Sequence, residues 1–137
     1  MLFPQDANAA GAFLEATFDY RPAASLTNRV GLKGEWMRKG YVIFTMLIHD
    51  QAGFEAYVQK ALPTLIQSGG RPIIVDDNPE VIEGRWHGTR TAVLEFDSLD
   101  IARAWYESPG YQAIVGERHN AAQTNAVIVG GFVMPGS

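Results

Sequence analysis

Cysteine is absent from the 137-residue chain, which excludes thiolate nucleophiles, disulfides and Cys-ligated zinc or iron–sulfur centres. Positive charge is scarce. Eleven Lys and Arg stand against 15 Asp and Glu, giving a net charge of −4 and a sequence pI near 5.3. No run of Lys and Arg supplies the basic footprint that nucleic acid or an anionic membrane surface requires, so neither is expected as a partner. Long apolar runs are missing too. The longest, Tyr41 to Ile48, falls far short of the roughly 20 residues that span a bilayer. The N-terminus shows no basic region followed by an apolar one, so no secretory signal is read and the cytoplasm is the expected compartment. There is no GxGxxG opening a helix, no GxxxxGK[ST] and no Gly-x-Ser-x-Gly. Nucleotide cofactors and serine-hydrolase chemistry therefore have no sequence support.

What is present is an ordinary globular composition, 47% hydrophobic and 19% charged, at a length that suits one domain. Residues 1–36 carry no sustained period. Asp6 to Ala16 is compatible with a short helix bearing Ala10, Phe13 and Leu14 on one face. The segment reads either as a loose leader or as an arm docking on a partner subunit through Phe13, Leu14, Phe18 and Tyr20. The folded domain is assigned to residues 37–137.

Within that domain the hydrophobic period alternates. Tyr41–Ile48 is β-branched and aromatic, the mark of a buried strand, and Asp50 is a candidate N-cap. Phe54, Tyr57, Val58, Ala61, Leu62, Leu65 and Ile66 then form one helical stripe. Pro63 is expected to kink or restart that helix, and Gly69-Gly70 to end it. Arg71–Asp76 reads as a second strand and Asp77-Asn78-Pro79 as a turn. Val81–Trp86 reads as a short hairpin strand, and Arg90–Phe96 as a strong strand of alternating faces. A helix capped by Asp97 or Ser98 buries Leu99, Ala102, Trp105 and Tyr106. Ser108-Pro109-Gly110 breaks it, and a second piece runs from Tyr111 to about Ala122. Ala126–Met134 closes the order, with Gly130-Gly131 suggesting a bulge.

The order predicts an α+β, ferredoxin-like βαββαβ subunit with an extra hairpin strand and an antiparallel sheet. Helices on one face leave the other bare. Tyr41–Ile48 and Ala126–Val133 are apolar on both sides, which predicts a homodimer formed through the sheet faces.

Several segments, taken together and in order, carry a family resemblance. They are Lys39-Gly40-Tyr41, Gly69-Gly70-Arg71-Pro72, Val81–Trp86, Arg90-Thr91-Ala92-Val93-Leu94-Glu95-Phe96 with Ser98, Ala104-Trp105-Tyr106 leading to Ser108-Pro109-Gly110-Tyr111-Gln112, and Arg118. Over about residues 39–133 the chain resembles domain-of-unknown-function family 1330, of the dimeric α/β-barrel superfamily. The resemblance implies subunits pairing sheet to sheet and no general activity. Superfamily members include cofactor-free monooxygenases, lactone isomerases, polyketide cyclases and haem-handling enzymes, and fold does not choose among them.

The polar residues on otherwise apolar elements are the candidates for chemistry. Glu95, opposite in parity to Leu94 and Phe96, reads as a raised-pKa general base or as a carboxylate paired with Arg90 or Arg118. Arg118, beside Ile114 and Val115, reads as an anion clamp or as a cap on Glu95 or the Ser108 loop. Tyr111 is a candidate phenol donor, with Tyr41, Tyr57, Trp105 and Tyr106 as pocket walls or core. Trp86, His87, Arg90, Ser108 and Trp105 complete the candidate substrate contacts. Asp76, Asp77 and Glu80 read as a turn, so no metal site is expected. The leading expectation is a pocket between sheet and helices hosting cofactor-free acid–base chemistry on a small aromatic or enolisable acid or ketone. Glu95 would be the base, Arg118 the clamp, and Tyr111 and Trp86 the shaping contacts. The alternatives are a non-catalytic dimer binding a ligand or protein, and haem binding through His119 or His87.

Overall fold

A computed structural model describes residues 38–136. The expectations for residues 1–36, including the Asp6–Ala16 helix, lie outside the described residues. Within Arg38–Phe132 the order is β1 (Gly40–Ile48), α1 (Gln51–Gln67), β2 (Arg71–Asp76), β3 (Arg90–Phe96), α2 (Leu99–Glu107), α3 (Pro109–Gln112), α4 (Val115–Ala121) and β4 (Ala122–Gly130). The four strands form one antiparallel sheet in the order β2-β3-β1-β4. This is the ferredoxin-like arrangement. Among the described residues no helix is long and apolar enough to cross a membrane.

Local chemistry sets the boundaries. Asp50 caps α1 by accepting from the Gly53 amide at 3.0 Å. Ser98, rather than Asp97, caps α2, accepting from the Ile101 amide at 3.1 Å; such a cap contributes about 1 kcal/mol. Gly69, at φ +78°, takes the left-handed conformation that terminates α1. Pro63 neither divides nor restarts α1, which runs through it as one helix. Its neighbour Thr64 returns a hydroxyl bond to the Ala61 carbonyl at 2.6 Å.

Two sequence expectations are corrected. Val81–Trp86 is not a strand, and residues 77–89 form an irregular connection between β2 and β3. The β-branched pair Val81-Ile82 is exposed there rather than paired, and Gly84 and Gly88 both hold positive φ. The extra hairpin strand is therefore absent from the sheet. The closing strand also begins earlier than expected, at Ala122. The chain passes directly from α4 into β4, and the Ala121 carbonyl accepts from both the His49 and Asp50 amides.

Strand register divides the sheet cleanly. Val42, Phe44 and Met46 of β1 share a face with Phe96, Leu94 and Ala92 of β3, and the helices cover it. The core is built there from Phe54, Tyr57, Leu65, Phe96, Trp105 and Tyr111. The opposite face carries cross-strand rows. One row is Ile74, Val93, Ile43 and Val127, all β-branched. It is flanked by a polar row, Asp76, Thr91, Thr45 and Asn125, and by a mixed row, Arg71, Glu95, Tyr41 and Val129, in which the first two carry charge.

Candidate functional site

Helix α1 packs closely against α4 but stands off β2 and β3. The apolar stripe read from α1 splits accordingly. Phe54, Tyr57, Ala61 and Leu65 are buried, while Val58, Leu62 and Ile66 stay exposed. Between α1 and the sheet lies a cavity of about 210 Å³. Its walls are apolar side chains of α1, β1 and β3, with Pro72 and Val75 of β2 and with Trp105. The lining residues with polar side-chain groups are Arg118, Arg90, Tyr57 and Trp105.

Arg118 sits on the buried side of α4 and is only 3% exposed. Its guanidinium carbon lies 5.2 Å from the centroid of the Phe44 ring, a cation–π contact. Its Nε donates to the Tyr111 hydroxyl at 3.3 Å. The Tyr111 and Tyr57 hydroxyls are 2.5 Å apart. Among the described residues Arg118 has no carboxylate partner. A buried cation without a counter-ion is costly. Burial works against its charge, but the Tyr111 and Tyr57 oxygens beside it carry the net shift upward, so it remains a guanidinium. Burial, reinforced by Tyr111, pushes the Tyr57 phenol far above the usual tyrosine range. Tyr57 is therefore neutral and a donor at any ordinary pH.

The rest of the site is held by aromatic stacking and one further hydrogen bond. The Trp105 and Tyr111 ring centroids are 4.2 Å apart. The Trp105 indole donates to Thr64 Oγ1 at 3.0 Å, tying α2 to α1. Ser108 caps α3, accepting from the Tyr111 amide at 3.2 Å, and its hydroxyl donates to the Trp105 carbonyl. Serine here aims Tyr111 and does not reach the cavity. Arg90 lines the wall, its guanidinium 5.4 Å from the Phe54 centroid. Asp77 grips it through both carboxylate oxygens, and the Arg90 hydrogen bonds hold the Asp77 carboxyl below its usual range.

Glu95 does not join these residues. It lies on the opposite face of the sheet, as its parity requires. Its partners are neither Arg90 nor Arg118. Tyr41 donates to Oε2 at 2.8 Å and Arg71 Nε to Oε1 at 2.9 Å. The Tyr41 hydrogen bond first, and Arg71 second, hold the Glu95 pKa below the carboxylate norm. A general base needs the reverse, so the expected raised pKa is corrected along with the expected location. The same contact raises the Tyr41 phenol. Trp86 also stands away from the cavity, its indole donating to Thr91 Oγ1 at 2.8 Å. His87 bonds through Nε2 to the Gln123 carbonyl at 2.9 Å, and His119 is exposed; neither histidine lines the cavity. Tyr111 is fully buried beneath the wall. Among the described residues no group of His, Asp and Glu is placed to hold a metal.

The structure thus brings together Arg118, Tyr111, Trp105 and Arg90, adds Tyr57 as the phenol at the wall, and removes Glu95, Trp86 and His87. A signal for Tyr57 was present: it carries the only hydroxyl among the apolar positions of the α1 stripe.

The family model described as "Domain of unknown function (DUF1330)" matches residues 39–132. A protein of unknown function from Rhodopseudomonas palustris has a similar structure, with a TM-score of 0.59 at 14% identity, covering 72% of this chain and 85% of that one. SnoaB, a cofactor-independent oxygenase from Streptomyces nogalater, aligns with a TM-score of 0.53 at 11% identity, covering 73% of this chain and 99% of that one. At such identities the likeness carries the fold and no chemistry. A comparison with curated proteins gives no match.

Proposed function

The chain belongs to the DUF1330 family, and from that premise we propose that it binds a small organic anion, the carboxylate or enolate of an aromatic or enolisable acid or ketone, in the cavity beneath α1. One observation carries this reading. Arg118 is buried at the wall of an apolar cavity and has no carboxylate partner among the described residues. A ligand anion supplies the missing counter-charge, and the apolar walls take its body. A buried guanidinium among apolar side chains stabilises an enolate better than water does. That supports cofactor-free chemistry in which the anion forms and reacts inside the cavity. The same fold carries a cofactor-independent oxygenase in SnoaB. The working unit is a homodimer joined through the sheet face away from the helices, supported by the β-branched row Ile74, Val93, Ile43 and Val127.

Native mass spectrometry of the purified protein tests the reading. A dimer carrying an organic-acid adduct that Arg118→Met lacks is the expected result. An adduct retained undiminished in that variant overturns it.

A second reading, binding without turnover, draws on the cavity wall, which includes no carboxylate and no histidine. A substrate acid enough to ionise without a protein base separates the two, because only the enzyme converts it. Haem binding through His119 or His87 draws no support from the geometry.

A further inference from the structure

The hydroxyls of Tyr57 and Tyr111 are 2.5 Å apart, and either is placed to donate. The surroundings decide which one does. Tyr111 is completely buried, and its hydroxyl has two partners, Arg118 Nε and the Tyr57 oxygen. A guanidinium only donates. The Tyr111 proton therefore has a single acceptor, the Tyr57 oxygen. The reverse polarity would leave a buried hydroxyl proton with nothing to receive it, an arrangement folded proteins avoid. The Tyr57 proton in turn has no acceptor other than Tyr111 among the described residues, and Tyr57 lines the cavity.

We infer that Arg118, Tyr111 and Tyr57 form a polarised donor relay whose last member, the Tyr57 hydroxyl, donates a hydrogen bond to the ligand's oxyanion. This rests on the proposed anion site and names the second protein contact within it. Arg118 Nε–H donates to Tyr111, Tyr111 to Tyr57, and Tyr57 to the ligand. Each bond polarises the next, so the terminal phenol carries part of the guanidinium's pull into the cavity. Burial holds that phenol well above the ordinary tyrosine range, so it stays protonated and donates without surrendering its proton. Tyr57 touches the ligand. Tyr111, beneath the wall, is a positioning residue that fixes which way Tyr57 points. The ligand this pair selects has one anionic oxygen end and an apolar body. A neutral ligand of the same shape satisfies Tyr57 only as a weaker acceptor.

The test uses 4-nitrophenol and the full chain, since the probe's visible absorption distinguishes phenolate from phenol. The wild-type protein is expected to bind the phenolate and to lower the pH at which the bound probe ionises. Tyr57→Phe should weaken phenolate binding about 10-fold, the loss of one hydrogen bond to a charged group, and should return the ionisation of the bound probe toward its free value. Tyr111→Phe should produce a smaller loss of the same kind. If Tyr57→Phe binds the phenolate as tightly as wild type while Arg118→Met does not, the anion site stands and the relay is wrong. If wild type shows no preference for the phenolate, the anion site fails and the relay with it. To keep the test sound should Tyr57→Phe not fold, 3-fluorotyrosine is placed at position 57, and separately at position 41 on the other sheet face. The fluorine resonance at 57 should move when the probe is added and that at 41 should not. Equal movement, or none at 57, overturns the assignment.

Discussion

Replacing Arg118 with methionine should make the ligand-free protein more stable, against the usual outcome of a core substitution. Arg118 is 3% exposed as a residue and faces no carboxylate among the described residues. Burying an ion costs several kcal/mol even after relaxation. Against this stand the Phe44 cation–π contact, worth about 1–2 kcal/mol when desolvated, and the hydrogen bond to Tyr111, worth roughly 1.5–3 kcal/mol for a charged donor. These terms nearly cancel the cost of burial. Methionine keeps the stem's packing and removes the charge, and Tyr111 still donates to Tyr57. Buried ionic groups replaced by apolar ones of similar volume are often neutral or stabilising. A gain of about 1 kcal/mol, a rise of roughly 4 °C in Tm for a domain this size, is expected. Thermal melts of the ligand-free wild type and variant, monitored by circular dichroism, measure it. Adding an aromatic carboxylate should reverse the order by stabilising only the wild type. A loss of about 3 kcal/mol or more in the ligand-free variant, as expected when one partner of a compensated buried pair is removed, would mean that the Arg118 charge is already compensated within the protein.

Gly88→Ala should destabilise by about 2–3 kcal/mol in urea titrations, because residue 88 sits at positive φ and strain of that kind adds to a clash. A Cβ there would lie 2.2 Å from the Met46 carbonyl oxygen. Glu95→Gln should leave the affinity for an aromatic carboxylate unchanged, since Glu95 is on the face away from the cavity. It should change the acid limb of stability. The native Glu95 pKa is held low by Tyr41 and Arg71, so its contribution is present above the unfolded value of about 4.3 and is lost as pH falls through the native one. An acid titration followed by tryptophan fluorescence should be shallower for the variant. Tyr57 gives the opposite sign at high pH. Its native pKa is raised, so the folded state keeps a proton that the unfolded chain releases above about pH 10, and stability falls as pH rises beyond that point. Tyr57→Phe should reduce that slope in alkaline melts. Ile43→Asp, in the middle of the aliphatic row on the sheet face away from the helices, should convert the proposed dimer to a monomer in sedimentation velocity, with an unchanged circular dichroism spectrum.

Much of the fold was legible because period and punctuation agree. Tyr41–Ile48, Arg90–Phe96 and the α1 stripe carry unambiguous patterns, and their ends carry Asp50, Ser98 and Gly69. Val81–Trp86 misled because β-branched residues between turns look the same whether or not a neighbouring strand accepts them, and pairing is a tertiary fact. Pro63 left a kink or a restart open, and the restart does not occur: α1 runs through it as one helix.

The candidate site was legible in part. Arg118 stood out as a charge on an apolar face, and Tyr111 and Trp105 followed the helical period. Glu95 was visible as a carboxylate on a strand, and parity already separated it from Leu94 and Phe96. Which cation would meet it depended on strand order, and β2 beside β3 supplies Arg71. The relay through Tyr57 was beyond sequence because it depends on two hydroxyls that lie 54 residues apart in the chain and meet only when α1 and α3 pack.

The most direct measurement is calorimetric titration of the wild type and Arg118→Met with benzoate and with benzyl alcohol, two ligands of like shape and different charge. Benzoate is expected to bind the wild type at least about 10-fold more tightly than benzyl alcohol does, as a charge-assisted hydrogen bond warrants, and Arg118→Met is expected to reduce that preference sharply, leaving only what Tyr57 supplies. Equal affinity of the wild type for the two ligands, or a benzoate preference undiminished by the loss of Arg118, would rule out Arg118 as the anion's partner.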